Sequence, residues 1–193
     1  MFLLALAPDV MRLLPRVVLV ILLLHPALGR AQATRIAPAM GSMAFLLGEW
    51  EGSGWIRTGP GAPATFRQRE TVRPAAGGAV VVIDGRGVST VAGQEGRIVH
   101  EAFAVVSFDS AAHQFRWRAY RATGPELDVV PSVKGDTLVW GFPMPGGAVR
   151  FVIDLSHDGA WHEVGDFIRD GAPPSRFFEM TLRRRENPPA PGL

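Results

Sequence analysis

From residue 42 onward the chain alternates in hydropathy. Over residues 65–72, Phe66, Gln68, Glu70 and Val72 take one parity and Thr65, Arg67, Arg69 and Thr71 the other. Over 114–121, Phe115, Trp117 and Ala119 interleave with Arg116, Arg118 and Tyr120. Side chains two apart share a face of a strand, so each segment has one wetter and one drier side. Comparable strand-like runs cover 49–57, 79–87, 97–108, 127–133, 137–142, 148–155, 160–169 and 175–184. Turn residues separate them, among them Gly59-Pro60-Gly61, Asp109-Ser110-Ala111, Lys134-Gly135-Asp136 and Asp170-Gly171-Ala172-Pro173. The run 127–133 is the weakest, because Pro131 interrupts it and marks a barrel rim or a bulge. No helix-length segment of period 3.6 appears after residue 42. The pattern predicts an all-β domain, a single antiparallel up-and-down β-barrel of about ten strands, because tight hairpin links favour winding each strand beside the last. A barrel of that size has room for a cavity, whereas about eight strands is close to filled.

The apolar run 43–47 enters the first strand, Glu49-Trp50-Glu51-Gly52-Ser53-Gly54-Trp55. It predicts a short helical turn that plugs one end of the barrel. Residues 34–41 read as a flexible lead-in, 42–185 as the barrel domain, and 186–193, with three prolines, as a disordered tail. Residues 1–33 have the make-up of a secretory signal peptide, with Met11 as the better start. Arg12 and Arg16 form its basic region, Val17 to Leu24 an apolar run too short to span a bilayer comfortably, and Ala31-Gln32-Ala33 a cleavage signal. The expected location is therefore exported, periplasmic or extracellular, with no stable membrane anchor after cleavage.

That leader changes the charge balance. It carries Arg12, Arg16 and Arg30 against Asp9, so basic and acidic residues after it are equal in number. The basic isoelectric point thus implies no basic patch, and nucleic acid is not an expected partner. The chain has no cysteine, which excludes a lipoprotein anchor, thiol catalysis and cysteine-bound metal. It has no nucleophile elbow, phosphate-binding loop or dinucleotide fingerprint.

Three blocks carry a family resemblance: Leu46-Leu47-Gly48-Glu49-Trp50-Glu51-Gly52; His100-Glu101-Ala102-Phe103-Ala104, running on to Ser107-Phe108-Asp109; and Phe115-Arg116-Trp117-Arg118-Ala119-Tyr120. Together they resemble a bacterial family of lipocalin-like (calycin) β-barrels related to nitrobindin and the fatty-acid-binding proteins, over most of residues 42–183. The resemblance implies a barrel with an internal cavity and no particular reaction. In fatty-acid-binding proteins an Arg-x-Tyr pair inside the barrel holds a carboxylate, so Arg118 and Tyr120 become candidate ligand-binding residues. The alternation leaves the opposite orientation open, with Phe115, Trp117 and Ala119 inside and the arginines in water. Nitrobindin-like haem barrels place an axial histidine close to the carboxyl terminus. Here no histidine follows His162, so no cofactor is expected and haem is disfavoured.

Further candidates come from the residues themselves. His100 lies in an apolar strand and reads as a ligand-binding group or as a rim residue bonded to its neighbour. Trp140 offers a stacking surface or plain core. Glu163, with Glu70 and Glu179, sits among apolar neighbours. An inward carboxylate needs a partner, for which Arg86 and Arg118 are available. His157 and His162 lack a zinc-like spacing and a third ligand, so no metal is expected. The leading functional reading is an exported barrel binding a small apolar or amphipathic molecule. A structural envelope barrel without ligand and a haem barrel acting on nitrogen oxides are the alternatives. The oligomeric state is not legible. Amino-terminal sequencing of exported protein should begin at Thr34, and recovery of a membrane-bound form starting at Met11 would refute the leader.

Overall fold

The computed structural model describes residues 35–122 and 124–185. The expected leader and tail lie outside the described residues. Eleven antiparallel strands follow a 3-10 turn: β1 Gly48–Ile56, β2 Ala64–Ala75, β3 Val80–Ser89, β4 Ile98–Asp109, β5 Gln114–Arg121, β6 Leu127–Val129, β7 Ser132–Lys134, β8 Thr137–Met144, β9 Gly147–Asp154, β10 Trp161–Ile168 and β11 Ser175–Arg184. They form one sheet in the order β6-β5-β4-β3-β2-β1-β11-β10-β9-β8-β7. Most strands pair with their sequence neighbours, and β1 also pairs with β11, so the winding is up-and-down. The sheet curls until β6 packs against β8.

The seam of this barrel falls where the sequence predicted its weakest strand. The run 127–133 is two strands of three residues each, β6 and β7, parted by Val130 and a buried Pro131. Proline has no N–H for a ladder and is confined to sheet edges and bulges. The edges β6 and β7 are therefore consecutive in the chain, and eleven strands stand where ten were expected.

A 3-10 turn, Pro38–Leu46, closes one end. Met40, Met43 and Leu46 are at most 1% exposed. The turn starts inside the segment expected to be a flexible lead-in. Two contacts hold it there. The Ala37 N–H donates to the Gly78 carbonyl at 3.0 Å, and Gly78, at φ +88°, has no side chain. A Cβ at Gly78 would stand 2.8 Å from the Ala37 nitrogen and 2.9 Å from the Ile36 Cα, so only glycine lets the incoming chain lie so close.

Inward parity is set by the register. Trp50, Phe66, Gln68, Glu70, Val81, Ile83, Ala104, Val106, Trp117 and Ala119 face the lumen from β1 to β5, and Leu138, Trp140, Phe151, Ile153, Trp161, Glu163, Phe178, Met180 and Leu182 from β8 to β11. Two bulges modify this. Between Gly87 and Val88 the register against β4 skips Val99, so Val99 joins His100 on the inner side at the open end. Between Gly165 and Asp166 the register against β11 skips Phe177, and Phe177 and Phe178 both reach Phe151, at 5.7 and 5.8 Å between ring centroids. Leu46→Ala should cost about 2–5 kcal/mol, as for other fully buried leucines. Urea unfolding with an unchanged m-value checks this; a loss below about 1 kcal/mol would mean that the plug is peripheral to the core.

Candidate functional site

Of the five residues singled out by sequence, three face the lumen and two do not. Arg118 and Tyr120 lie on the outer face. Their neighbours Trp117 and Ala119 pair with Val106 and Ala104 across β4, and that parity is the buried one. Tyr120 is 43% exposed. Arg118 Nε donates to Asp128 Oδ2 at 3.3 Å, and Arg116 Nη2 donates to the same oxygen at 2.7 Å. Arg116, and then Arg118, hold the Asp128 carboxyl below its usual range. The expected inward Arg-x-Tyr pair is thus an outer ion-pair cluster, and its pattern reported solvent.

His100 faces inward at the open end, opposite Gly87. Burial pushes its imidazole pKa down, and the charge of Arg121 adds to this. Trp140 and Glu163 line the lumen itself. Glu179 faces outward and bonds Arg176.

The middle of the lumen holds an acidic cluster. Glu70 and Glu163 are 5% and 7% exposed, with Gln68 at 2% beside them. Gln68 Nε2 donates to Glu70 Oε1 at 2.7 Å, and Trp161 Nε1 donates to Glu163 Oε2 at 3.0 Å. Arg86 and Arg118, the partners considered from sequence, both point outward, so neither carboxyl meets a cation. Among the described residues, the inner face carries arginine only at its two ends, Arg121 at the mouth and Arg184 at the plug. Burial accordingly raises Glu70 to about 8 and Glu163 to about 7. The Gln68 hydrogen bond opposes the rise at Glu70, while the charges of Glu163 and Asp84 add to it.

Glycines make the room. A Cβ at Gly85 would stand 2.5 Å from both Glu70 carboxyl oxygens, and one at Gly87 would strike Gln68 Oε1. Bare backbone on β3 is what lets the long side chains of β2 lie across it.

Aromatic rings on the inner face pack against one another. Trp117 stacks on Trp140 across the seam at 5.4 Å, Trp140 on Phe151 at 4.4 Å, and Phe178 on Phe66 at 5.9 Å. Phe151 joins the two groups edge-on to Phe178. Four buried polar atoms of inward-facing residues have no protein partner: Trp117 Nε1, Trp140 Nε1, Gln68 Oε1 and Glu70 Oε2. Two indole N–H groups and two side-chain oxygens therefore stand unpaired. By contrast Trp50 Nε1 is satisfied by the Leu46 carbonyl at 2.8 Å, and Trp50 packs edge-on to Trp161. Those two rings are core.

Other chemistry lies outside the barrel. His162 contacts Asp158 and Thr181, and His157 contacts Asp154, all on the exterior. Among the described residues no three histidine or carboxylate side chains gather as a metal site. The histidine that could ligate haem from within is His100, at the mouth, and β11 offers Met180 and no histidine, so the donor set does not fit an enclosed haem. An open depression of about 490 Å³ lies beside Trp55, Thr65 and Thr90, and another of about 370 Å³ beside Arg67, Arg69 and Arg86.

Comparison with known proteins shows the fold. No family model and no curated protein matches the chain. Among solved structures, Rv2717c from M. tuberculosis aligns with a TM-score of 0.58 at 15% identity, over 79% of this chain and 100% of that one. The S-type phycobiliprotein lyase CPES from Guillardia theta aligns with a TM-score of 0.52 at 9% identity, over 80% of this chain and 95% of that one. These likenesses show the fold alone, a lipocalin-like curled antiparallel sheet.

The carboxyls impose a sign on stability. The unfolded chain releases these protons near 4.5, whereas the native state holds them to about 8 and about 7. Between those limits the native state binds more protons than the unfolded, so stability is full below the lower limit and falls as pH rises to the upper one. Each group is worth on the order of 3–5 kcal/mol of this loss. Thermal melting should show a falling midpoint from pH 5 to pH 8.5, with a shallower fall in Glu70→Gln. A midpoint that rises over that range would contradict the buried, cation-free placement.

Proposed function

We propose that this protein is an exported barrel that binds a small, largely apolar molecule in its lumen. One observation carries the reading: four buried polar atoms lack protein partners within an aromatic-lined interior. Burying a polar group without a hydrogen bond costs about 1–3 kcal/mol in proteins. A ligand with a few placed polar groups would satisfy such atoms. One structural neighbour is a phycobiliprotein lyase, which supports a barrel that binds a small molecule. Export rests on the leader pattern alone. The kinship with nitrobindin and fatty-acid-binding proteins rests on the sequence blocks, and the outward Arg118 and Tyr120 remove the carboxylate clamp that kinship implied. We propose no haem, on the donor set described above.

A filled barrel without ligand is the second reading. It is favoured by the direct stacking of Trp117, Trp140 and Phe151 on one another. Two measurements separate them. Native mass spectrometry of protein from its own host should reveal a co-purifying mass under about 1 kDa. The neutral probe N-phenyl-1-naphthylamine should bind at one per chain and quench tryptophan emission. Absence of both signals would establish the filled barrel.

A further inference from the structure

The outer face of the barrel carries two adjoining depressions over β1, β2, β3 and β11. We propose that together they bind an acidic oligosaccharide, with a sugar ring on Trp55 and carboxylates of the chain on Arg67 and Arg86. This surface is separate from the lumen and does not depend on what the lumen holds.

Register puts the two halves side by side. Ser53 and Trp55 have the parity opposite to the buried Trp50 and point outward. Ser53 stands between Arg67 of β2 and Thr181 of β11, and Trp55 between Thr65 and Glu179. These residues line the depression of about 490 Å³. Two residues along β1, Glu51 stands opposite Arg69, and Arg69 stands opposite Arg86 of β3. Arg67, Arg69 and Arg86 line the depression of about 370 Å³. Arg67 joins the two, since its partner across the ladder is Ser53. Strands about 4.8 Å apart, with a rise of about 3.4 Å per residue, place Arg67 roughly 8 Å from Trp55 and Arg86 roughly 17 Å from it. A sugar on Trp55 thus has a guanidinium within reach of its own carboxylate, and the following units run toward Arg86.

Each half has the chemistry of one part of such a ligand. Trp55 is half-buried, so its ring is held in place, while Ser53, Thr65, Thr181 and Glu179 around it are exposed. The face of an indole is the negative part of its quadrupole and takes the C–H face of a sugar, leaving the ring hydroxyls to polar groups at its edge. Glu179 bonds Arg176 through one oxygen, which leaves the other as an acceptor. The exposed Arg57 guanidinium lies 5.9 Å from the centre of the Trp55 ring and adds positive charge at this end. The arginine half is short of negative charge. Arg69 and Arg86 are like charges directly opposite on paired strands, an arrangement that costs stability. Glu51 offsets it in part, at 3.2 Å from Arg69, and is shared with Arg185 at 3.5 Å. Among the described residues neither Arg67 nor Arg86 is in an ion pair, although Glu101 of β4 stands opposite Arg86. Two uncompensated guanidiniums at a concave place suit carboxylates, which the planar fork meets with two parallel N–H bonds. A nucleic-acid strand answers only the arginines: its phosphates would meet Glu51 and Glu179, and Trp55 gives one outward ring where strand binders stack successive bases.

Tri-galacturonate, its fully methyl-esterified form and hexathymidylate test this. Titration calorimetry at pH 7 and low salt should find one tri-galacturonate per chain, bound at least tenfold more tightly than the uncharged ester. Arg67→Gln and Arg86→Gln should each weaken it by roughly tenfold, the lower end of the loss of a charged hydrogen-bond partner, because the site is open to water. Both side chains are exposed, so both variants should melt with the wild type, and N-phenyl-1-naphthylamine should bind them as it binds the wild type. Trp55→Ala should weaken the acid and the ester alike. Arg118→Met removes the same charge elsewhere on the outer face and should leave binding unchanged. Equal binding of the ester, tighter binding of hexathymidylate, a loss in Arg118→Met equal to that in Arg67→Gln, or no binding of tri-galacturonate would each overturn the assignment.

Discussion

Trp50 is where the closed end of the barrel is tied together. Its indole N–H bonds the last carbonyl of the plug, at Leu46, its edge meets Trp161 of β10, and the Arg184 guanidinium of β11 lies 4.1 Å over its ring. Arg184 in turn donates to the Leu47 and Phe45 carbonyls. One side chain thus joins the plug, the first strand and the two last strands. An up-and-down barrel has this problem built in: its first and last strands must find each other after the whole chain has wound round, and nothing local fixes their register. A large buried ring with a satisfied donor and a cation on its face supplies that register at β1 and β11.

The two faces of the sheet treat acids differently. On the outside, Asp166 is met by Arg176 at 2.7 Å and Arg150 at 3.5 Å, and Asp128 by Arg116 and Arg118. On the inside, Glu70 and Glu163 have only a glutamine amide and an indole N–H. A fold concerned with stability alone would gain from apolar residues at those two positions, since a buried acid without a counter-charge is destabilising above its unfolded pKa. Glycines at 85 and 87 are also weak strand formers, yet they are what admits the two long polar side chains. Local cost is thus accepted at β2 and β3, both in the strand backbone and in the lumen.

Chain alternation and turn chemistry were enough to read the all-β class, the up-and-down winding and the plug, because a period of two and glycine- or proline-rich hairpins are local properties. Pro131 even marked the seam, since a missing N–H is visible in sequence. The helical turn was placed too late, at Met43 instead of Pro38, because the lead-in is held by the Gly78 carbonyl some forty residues away. Two clean alternations also looked alike in sequence: 65–72 turns its carboxylate inward and 114–121 turns its arginines outward. Period two says that residues share a face; it does not say which face. That choice belongs to the register between strands and to the curl of the sheet. The same limit applies to the site. Glu70 and Glu163 could be suspected one at a time, yet their isolation from every arginine among the described residues exists only once distant strands close one inner face over them.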